Sequence, residues 1–358
     1  MSVPHYPYQA RADLPGIPFR AMRQAILTHA KSRNLEVLED EQTHLTVQTA
    51  HGLIGLRPGD AAEAAGMVAA EDARWLFAMK NAVITQIRQV IPEVAEAMRW
   101  SDGDVEGTAP PNFQTVRVTD VVALGPVFVR VTLSGKDLSS YTTNSIHFRL
   151  LQPPKGSTPL WPVLAANGST KWPDGPGAVH KPVYTARSVD HDANTLITDI
   201  FLHEGGRTTA WAQNLMSGDP SGVAVAIVGP SGGGLLHANR VLMASDETGF
   251  PAAARLLEHL PADATGELLL EADDGEHCAY PMPPAPTGVS IRWLKRSAGE
   301  RLADASIDAL ARHSIDASIW FAGERGEARR LRDAAKTAGW ATKALRISGF
   351  WRAGHHDA

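Results

Sequence analysis

The sequence predicts a multidomain protein, in which an N-terminal α+β domain precedes an antiparallel β-barrel and an α/β domain. Three observations support this fold class. The chain has 358 residues, which is more than one small hydrophobic core organises. Residues 115–229 carry six short strand patterns separated by turn residues. After residue 229, strand patterns alternate with helical patterns, which is typical of a mostly parallel sheet covered on both faces.

Bulk composition narrows the class of protein further. The chain has 34 basic and 39 acidic residues, and this net charge of −5 argues against a general nucleic-acid binder. A single cysteine, Cys278, excludes an intrachain disulfide and any cysteine-rich zinc or iron–sulfur site. The first residues lack the apolar segment of a secretory signal, and no apolar run reaches the length of a membrane span. We therefore expect a cytoplasmic protein without membrane insertion, for which a monomer is a reasonable state.

The predicted domain at residues 1–100 has a helix at each end and short strands between them. Helical spacing of apolar residues covers 18–32 and 73–91, and the strand patterns cover 35–40, 43–50 and 53–59. Nothing in this block brings chemically active residues together.

The segment at 101–114 is predicted to be a linker, because it is rich in glycine, proline and acidic residues. Its "DGDVEG" is similar to the opening of a calcium-binding loop, but the closing glutamate is missing and two prolines interrupt it. We therefore interpret it as an acidic linker and expect no metal site in the chain.

The predicted barrel occupies residues 115–235 and the predicted α/β domain occupies 236–358. One short helical stretch, "TTAWAQNLM", interrupts the barrel strands. The barrel strand patterns are 116–124, 127–135, 145–153, 183–190, 196–203 and 222–230. In the α/β domain, the strand patterns are 240–245, 266–272, 290–296, 317–323 and 342–349, and the helical patterns are 250–260, 300–313 and 324–339.

The stretch "KPVYTARSVD" in the barrel combines an aromatic ring, a hydroxyl and a fixed positive charge. If it is one strand, Tyr184 and Ala186 share one face, whereas Thr185 and Arg187 share the other. Tyr184 beside a small alanine would form a flat apolar shelf against which a planar ring could stack. Thr185 could donate a hydrogen bond to that ring, and Arg187 could bind a phosphate. A barrel strand with a half-buried tyrosine and a solvated arginine is the alternative interpretation.

The next segment, "FLHEGGRTTAWAQNLMSGD", places two glycines and two threonines directly before the short helix. The first turn of a helix offers unpaired N–H groups and the positive end of its dipole, so it can bind a diphosphate. Gly205 and Gly206 would allow the backbone to approach such a group closely. A simple helix cap after a glycine turn is the alternative.

These motifs together resemble the siderophore-interacting protein family, flavin-dependent ferric-siderophore reductases related to ferredoxin reductases, over residues 115–354. The family pattern Arg-x-Tyr-Thr-x-Arg is similar to the stretch ending at Arg187, but Pro182 replaces its first arginine. Lys181 could supply a point charge there, although without the planar fork of an arginine. The family pattern His-x-x-Gly-Pro-Ala-Ser-x-Trp-Ala resembles residues 203–212, with Arg207 and Thr208 in place of proline and alanine.

Three further motifs of the α/β domain resemble the family in the same order: "ASDETGFPAAARLLE", "WFAGERGEARRLR" and "SGFWRAG". The resemblance implies FAD on the barrel and NADPH, or NADH, on the α/β domain. It implies these cofactor-binding residues: Tyr184, Thr185, Arg187, His203, Gly206, Thr208, Thr209, Trp211, Gly229, Ser231, Asp246, Glu247, Thr248, Gly323, Glu324 and Trp351. The N-terminal block resembles, less closely, a small domain of unknown function found with siderophore systems.

The reaction that this resemblance implies is reduction of a ferric siderophore by NADPH through FAD, with release of iron(II). The flavin would supply the redox chemistry, so no acid, base or nucleophile is required of the protein. Ferric catecholates are anionic, and a basic pocket should attract them. The candidate substrate-binding residues are Arg149, Lys181, Arg296 and Arg352.

Two functions of other classes remain open at this stage. A siderophore-binding or iron-handling module without redox turnover is one, given the arginine lost at Pro182. The other is a serine esterase, because "GPSGG" around Ser231 fits the Gly-x-Ser-x-Gly motif. That motif requires a helix directly after the serine, which the sequence does not predict, and the histidines at 313, 355 and 356 have no supporting context. The histidine pair at 355 and 356 is interpreted as a solvated tail.

Overall fold

A computed structural model describes residues 4–354, except 34, 60–62, 142–144, 155, 157, 219 and 221. The terminal histidines 355 and 356 therefore lie outside the described residues. The chain divides into two compact units: Met1–Phe113 with Pro153–Val179, and Gln114–Gln152 with His180–Ala358. Within the described residues, no helix is both long and apolar enough to cross a lipid bilayer.

The first unit contains a five-stranded antiparallel sheet and three helices. The strands lie in the order β1-β5-β4-β3-β2. The elements are β1 Tyr8–Pro18, α1 Phe19–Arg33, β2 Val37–Asp40, β3 Leu45–Thr49, β4 Gly52–Pro58, β5 Glu63–Ala70, α2 Ala73–Val90 and α3 Pro92–Ala97. Leu45, Val68 and Ile84 belong to one core formed by both the sheet and the helices.

Strands β1 and β5 are absent from the sequence prediction, and they pair with each other along most of their length. The buried positions of β1 alternate with exposed ones, whereas those of β5 do not alternate regularly. In both strands several buried residues are alanines, such as Ala10, Ala12 and Ala64. Alanine has little β propensity, and the prolines and glycine of β1 also argue against a strand. The alternation of β1 was therefore hidden by residues that usually favour other structures.

The segment at 153–179, predicted as part of the barrel, belongs to the first unit instead. It carries two short paired strands, β9 Val163–Leu164 and β10 Thr170–Lys171. Its buried Asn167 donates a hydrogen bond from Nδ2 to the carbonyl oxygen of Ala95 at 2.8 Å. The second unit begins at Gln114, next to the predicted boundary at residue 115, but this insertion interrupts the predicted barrel range of 115–235.

The predicted linker at 101–114 also belongs to the first unit, up to Phe113. Lys80 of α2 is 1% exposed, and its Nζ lies 2.5 Å from Asp102 and 2.6 Å from Asp104. The acidic residues of the segment are thus used to neutralise a buried lysine, and they fix the segment against the unit.

The second unit begins with the barrel-forming strands. Its elements before residue 235 are β6 Phe113–Leu124, β7 Phe128–Ser134, β8 His147–Leu151, β11 Val183–Thr185, β12 Ser188–Asp190, β13 Thr195–Phe201, α4 Arg207–Ser217 and β14 Ala224–Ser231. The strands form one sheet in the order β11-β8-β14-β6-β7-β13-β12. Gln152 and His180, where the chain leaves and rejoins this unit, pair as an antiparallel bridge.

The two edge strands of this sheet are consecutive in the chain, and only Ala186 and Arg187 join them. The N–H of Ala186 donates to the carbonyl oxygen of Ile146, next to β8 at one side of the sheet. The N–H of Arg187 donates to the carbonyl oxygen of Ile197 on β13 at the other side, and both distances are 2.8 Å. The sheet therefore curls until its edges meet. This also corrects the prediction of one continuous strand over 183–190, because the strand breaks after Thr185.

The rest of the second unit is a parallel five-stranded sheet with three helices. The elements are β15 Arg240–Asp246, α5 Phe250–Glu258, β16 Thr265–Ala272, β17 Gly288–Lys295, α6 Leu302–Leu310, β18 Ser318–Glu324, α7 Arg325–Thr337 and β19 Leu345–Trp351. The strand order is β17-β16-β15-β18-β19. The order reverses between β15 and β18, and ligands of such sheets bind at the carboxyl ends of the strands beside this point.

Candidate functional site

The first part of the candidate site lies where β8 and β11 pair. Thr185 is opposite His147, and its Oγ1 lies 3.2 Å from the Nδ1 of that histidine. Burial, and then the charge of Arg255, lower the pKa of His147 to about 4, so the ring is neutral at neutral pH. Thr185 is therefore held by an uncharged neighbour that the sequence did not single out.

Residues from two other strands surround His147. Phe350, at the end of β19, meets its ring edge-on with 5.6 Å between the centroids. The hydroxyl of Ser231 donates to the carbonyl oxygen of His147 at 3.4 Å. A Cβ at Gly232 would lie 2.6 Å from the ring, so only glycine allows this approach. The predicted residues Thr185, Ser231 and Trp351 thus come from strands that converge around one histidine.

Ser231 does not have the geometry of an esterase nucleophile. It lies at the end of β14, and the next regular element is the strand β15 rather than a helix. The strand–turn–helix arrangement that the motif requires is therefore missing here. Gly229, the first residue of the motif, is packed beneath Tyr141 and Phe148, where a Cβ would lie 3.1 Å from each side chain.

The second part of the site is the start of α4. Gly206 is the N-cap residue, and among the described residues no side chain caps this helix. Thr209 Oγ1 accepts a hydrogen bond from the backbone N–H of His203 at 3.1 Å, which holds the preceding turn against the helix. A Cβ at Gly206 would lie 2.7 Å from the exposed ring of His203, so a larger residue there would require this ring to move. The N–H groups of the first turn consequently remain available for an anion.

Tyr184 connects the strand pair with this helix start. Its hydroxyl is hydrogen-bonded to Thr208, and burial raises the pKa of Tyr184 to about 12. The ring packs against the barrel core, to which Trp211 of α4 also contributes a partly buried side chain. Ala186 belongs to that core and is fully buried, so the predicted shelf made of Tyr184 and Ala186 is wrong. The break after Thr185 turns Ala186 inward.

Gln152 was missed by the sequence analysis and lies beside the same helix start. Its Oε1 accepts a hydrogen bond from the Thr208 hydroxyl at 3.2 Å. The residue is 5% exposed, and its Nε2 is buried without a partner in the described part of the chain. An unpaired buried amide donor costs about 1–3 kcal/mol, which a ligand oxygen would recover. Uncapped N–H groups, the Thr209 hydroxyl and this amide form a donor set that fits the oxygens of FAD.

The third part lies at the carboxyl edge of the parallel sheet, beside the reversal between β15 and β18. Asp246 is 3% exposed, and its carboxylate accepts hydrogen bonds from Trp351 Nε1 at 2.6 Å and from the Thr248 hydroxyl at 2.5 Å. Burial raises the pKa of Asp246 to about 6, against the opposing effect of these hydrogen bonds. A Cβ at Gly323 would lie 3.1 Å from the same carboxylate.

Glu324 lies at the end of β18 and begins α7. Its carboxylate accepts the backbone N–H groups of Gly326 and, at 3.0 Å, of Glu327. It also accepts from the N–H of Ala353 at 3.2 Å. The structure thus brings the predicted residues Asp246, Thr248, Gly323, Glu324 and Trp351 to one edge, although Glu324 serves there as a helix cap.

Glu247 and Arg296, predicted for the cofactor and the substrate respectively, contact each other instead. Arg296 Nη1 lies 2.9 Å from Glu247, and Arg296 Nε lies 2.7 Å from Glu271. Both glutamates are buried, whereas the side chain of Arg296 is 28% exposed. Arg296 therefore links the ends of β15, β16 and β17, and its assignment to an open substrate pocket is corrected.

Arg187, predicted to bind a phosphate, forms a bidentate pair with Glu258 of α5 at 2.6 and 2.7 Å. Its side chain is 10% exposed. Both ends of the guanidinium fork are occupied by a carboxylate, so this placement departs from the prediction.

Arg149 and Lys181, by contrast, lie side by side on the pair β8–β11. The Arg149 Nη1 donates to the carbonyl oxygen of Lys181 at 3.0 Å, and both residues are exposed. Arg352 is also exposed and follows the end of β19. Two of the four basic residues predicted to bind the substrate are therefore adjacent, beside the strand that carries Tyr184.

Two family models match the second unit and together span most of it. The siderophore-interacting FAD-binding domain matches residues 117–234, and the siderophore-interacting protein domain matches residues 238–354. The first match includes the insertion that belongs to the other unit. Residues 1–113 lie outside both matches.

Three proteins illustrate the similarity. Ferric vibriobactin reductase ViuB of Vibrio cholerae is 32% identical over 176 residues, which cover 47% of this chain and 61% of that protein, so less than two thirds of its length is matched. The NADPH-dependent ferric-chelate reductase of Escherichia coli is 25% identical over 67% of this chain and 93% of its own length. The crystal structure of a siderophore utilization protein from T. fusca superposes with a TM-score of 0.58 and 26% identity, over 72% of this chain and 98% of its own.

Proposed function

Since this chain belongs to the siderophore-interacting protein family, we propose that it is an FAD-dependent oxidoreductase that takes electrons from NADPH and reduces ferric siderophores, releasing iron(II). The observation that supports this most directly is the donor set beside Tyr184. There the uncapped start of α4, Thr208 and the unpaired amide of Gln152 meet the strand that carries Tyr184 and Thr185. The names of the two reductase relatives favour the same activity.

FAD, when bound, accepts two electrons from a nicotinamide and delivers them singly to a metal centre. The residues of this chain bind and orient. The N–H groups of the first turn of α4 hold the diphosphate, and Gln152 adds a donor on the strand side. His147 fixes the Thr185 hydroxyl in one orientation because the neutral ring stays in contact with it.

The sheet-edge residues Asp246, Thr248 and Trp351 are proposed to form the nicotinamide side of the site. This edge is where nucleotides bind in sheets of this topology. The ferric chelate is the substrate, and we propose that it is an anionic catecholate attracted by Arg149 and Lys181. Iron(III) is a hard cation that oxygen donors hold tightly, so its reduction weakens the chelate.

The deciding experiment is an absorbance spectrum of the purified protein reconstituted with FAD. The proposal expects flavin bands that bleach on adding NADPH under nitrogen and return when a ferric catecholate is added, with iron(II) captured by a chromogenic chelator. Reduced flavin that persists without iron(II) would refute the reductase. A protein that binds no FAD but retains the ferric catecholate would instead support a siderophore-binding module.

Replacing Gln152 with leucine is expected to weaken FAD binding by about tenfold, because one buried hydrogen bond contributes about 1 to 1.5 kcal/mol. The measurement is a titration of FAD fluorescence with protein. The Thr208→Val variant provides a comparison, because it removes the partner of Oε1 but leaves the amide in place. A larger loss of FAD affinity in Gln152→Leu than in Thr208→Val would assign the effect to the amide. An unchanged dissociation constant for Gln152→Leu would contradict the placement of the diphosphate.

Replacing Arg149 and Lys181 with alanine is expected to lower kcat/KM for an anionic ferric catecholate by about three- to tenfold for each residue, because exposed charges act mainly on association. A neutral ferric trihydroxamate is the control substrate and should be affected little. Raising the ionic strength should reduce the difference in kcat/KM for the catecholate between the wild type and these variants. Equal losses for both chelates would exclude charge attraction as the role of these residues.

A further inference from the structure

The ion pair of Arg187 and Glu258 joins the barrel to helix α5. The two residues are 71 positions apart in the chain, and both terminal nitrogens of the guanidinium contact the carboxylate. Bidentate pairs of this type are directional as well as charged. The remaining nitrogen of the fork, Nε, is buried without a partner in the described part of the chain. Both terminal nitrogens of Arg187, which a bidentate phosphate contact would need, are thus already used by Glu258.

Arg255, one turn earlier on α5, reaches the same stretch of the barrel. It is 4% exposed, and it donates to the carbonyl oxygen of Ala186 and, at 2.5 Å, to that of Tyr141. Burial, and then the neighbouring charge of Arg187, lower the pKa of Arg255 to about 10. Two guanidinium groups and one carboxylate thus form a compact cluster. Breaking one partner of such a cluster is costly, because it leaves charges poorly solvated.

These contacts hold a particular piece of backbone. Ala186 and Arg187 are the two residues between β11 and β12, where the edges of the curled sheet meet. They directly follow Tyr184, whose hydroxyl is hydrogen-bonded to Thr208 of α4, and Thr185, whose hydroxyl contacts His147. A shift of this junction would therefore displace the tyrosine ring and the threonine hydroxyl together.

We propose that Arg187 is a positioning residue rather than a phosphate ligand. Glu258 through Arg187, and Arg255 through the carbonyl oxygen of Ala186, hold the segment that orients Tyr184 and Thr185 toward the flavin. This inference rests on the proposed function. It reverses the role that a motif-based assignment gives to Arg187. It also identifies Glu258 and Arg255, which were not among the predicted cofactor-binding residues, as contributors to flavin binding.

A charge swap tests the proposal. The Arg187→Glu and Glu258→Arg single variants should each weaken FAD binding by about tenfold or more, whereas the double variant should return to within about threefold of the wild type, because the pair is restored in reverse. A phosphate ligand could not be rescued in this way. A double variant as weak as Arg187→Glu would overturn the proposal.

The conservative variant Glu258→Gln separates the two roles even if the swapped proteins fold poorly. If Arg187 were a phosphate ligand, releasing it from the carboxylate should leave FAD affinity unchanged or increase it. A positioning role requires the affinity to fall, and the flavin midpoint potential at saturating FAD to shift as the ring environment changes. A wild-type protein that binds no FAD would refute the proposed function itself, which is a different outcome.

Discussion

Replacing Lys80 with methionine is expected to destabilise the first unit by about 3–5 kcal/mol, because the substitution leaves two largely buried carboxylates without their cation. Lys80 is 1% exposed and lies between Asp102 and Asp104, whose side chains are 21% and 14% exposed. Its Nζ is also 6.0 Å from the centroid of the Trp100 ring. The measurement is urea unfolding, combined with amide hydrogen exchange of α2 to locate the loss.

The triple variant Lys80→Met, Asp102→Asn, Asp104→Asn is the matched control. It removes all three charges, and replacing a whole buried ionic group by uncharged residues is often close to neutral. Most of the lost stability should therefore return. A loss below about 1 kcal/mol in the single variant would show that the carboxylates reach water, as exposed ion pairs do.

The pH dependence of stability is expected to differ between the wild type and the Asp246→Asn variant. The pKa of Asp246 is raised to about 6 by burial, so between pH 4 and 6 the folded state binds a proton more readily than the unfolded state. The contribution of Asp246 is consequently most favourable below about pH 4, and it is lost as the pH rises through 6. A shift of about two pKa units corresponds to about 3 kcal/mol.

The measurement is the free energy of unfolding at intervals between pH 4 and 8 for both proteins. The wild type should lose stability relative to Asp246→Asn across this range. The Trp351→Phe variant provides an internal check, since losing the indole donor should raise the pKa of Asp246 further and move the loss to higher pH. A constant difference between pH 4 and 8 would contradict the assignment.

The α/β part of the fold was predictable because its signals are local. Parallel strands buried on both faces are continuous apolar runs, as in β15 and β16, and the intervening helices have clear periodicity. The first unit was harder to predict, because β1 and β5 are rich in small residues that have little β propensity. The insertion at 153–179 could not be recognised from composition, since only its contacts assign it to the first unit.

The candidate site shows the same division. Residues of two neighbouring motifs, such as Tyr184 and Thr208, could be placed near each other because the strand and the next helix are close in the chain. The partners of Arg187 and Arg296 could not, because Glu258, Glu247 and Glu271 lie 71, 49 and 25 residues away in the sequence. Gln152 belongs to no recognised motif. It became a candidate only because tertiary packing buries its amide nitrogen without a partner in the described residues.

The bridge between Gln152 and His180 has a practical consequence for protein engineering. Their backbones exchange hydrogen bonds at 2.8 and 3.0 Å, so the 27 residues between them leave from and return to adjacent points of one ladder. Deleting only the first 113 residues would leave the segment 153–179 in place but remove the sheet and helices of its own unit. Excising both stretches and joining the two ends by a tight turn would instead convert β8 and β11 into an ordinary hairpin, and yield a shorter protein with its flavin half intact.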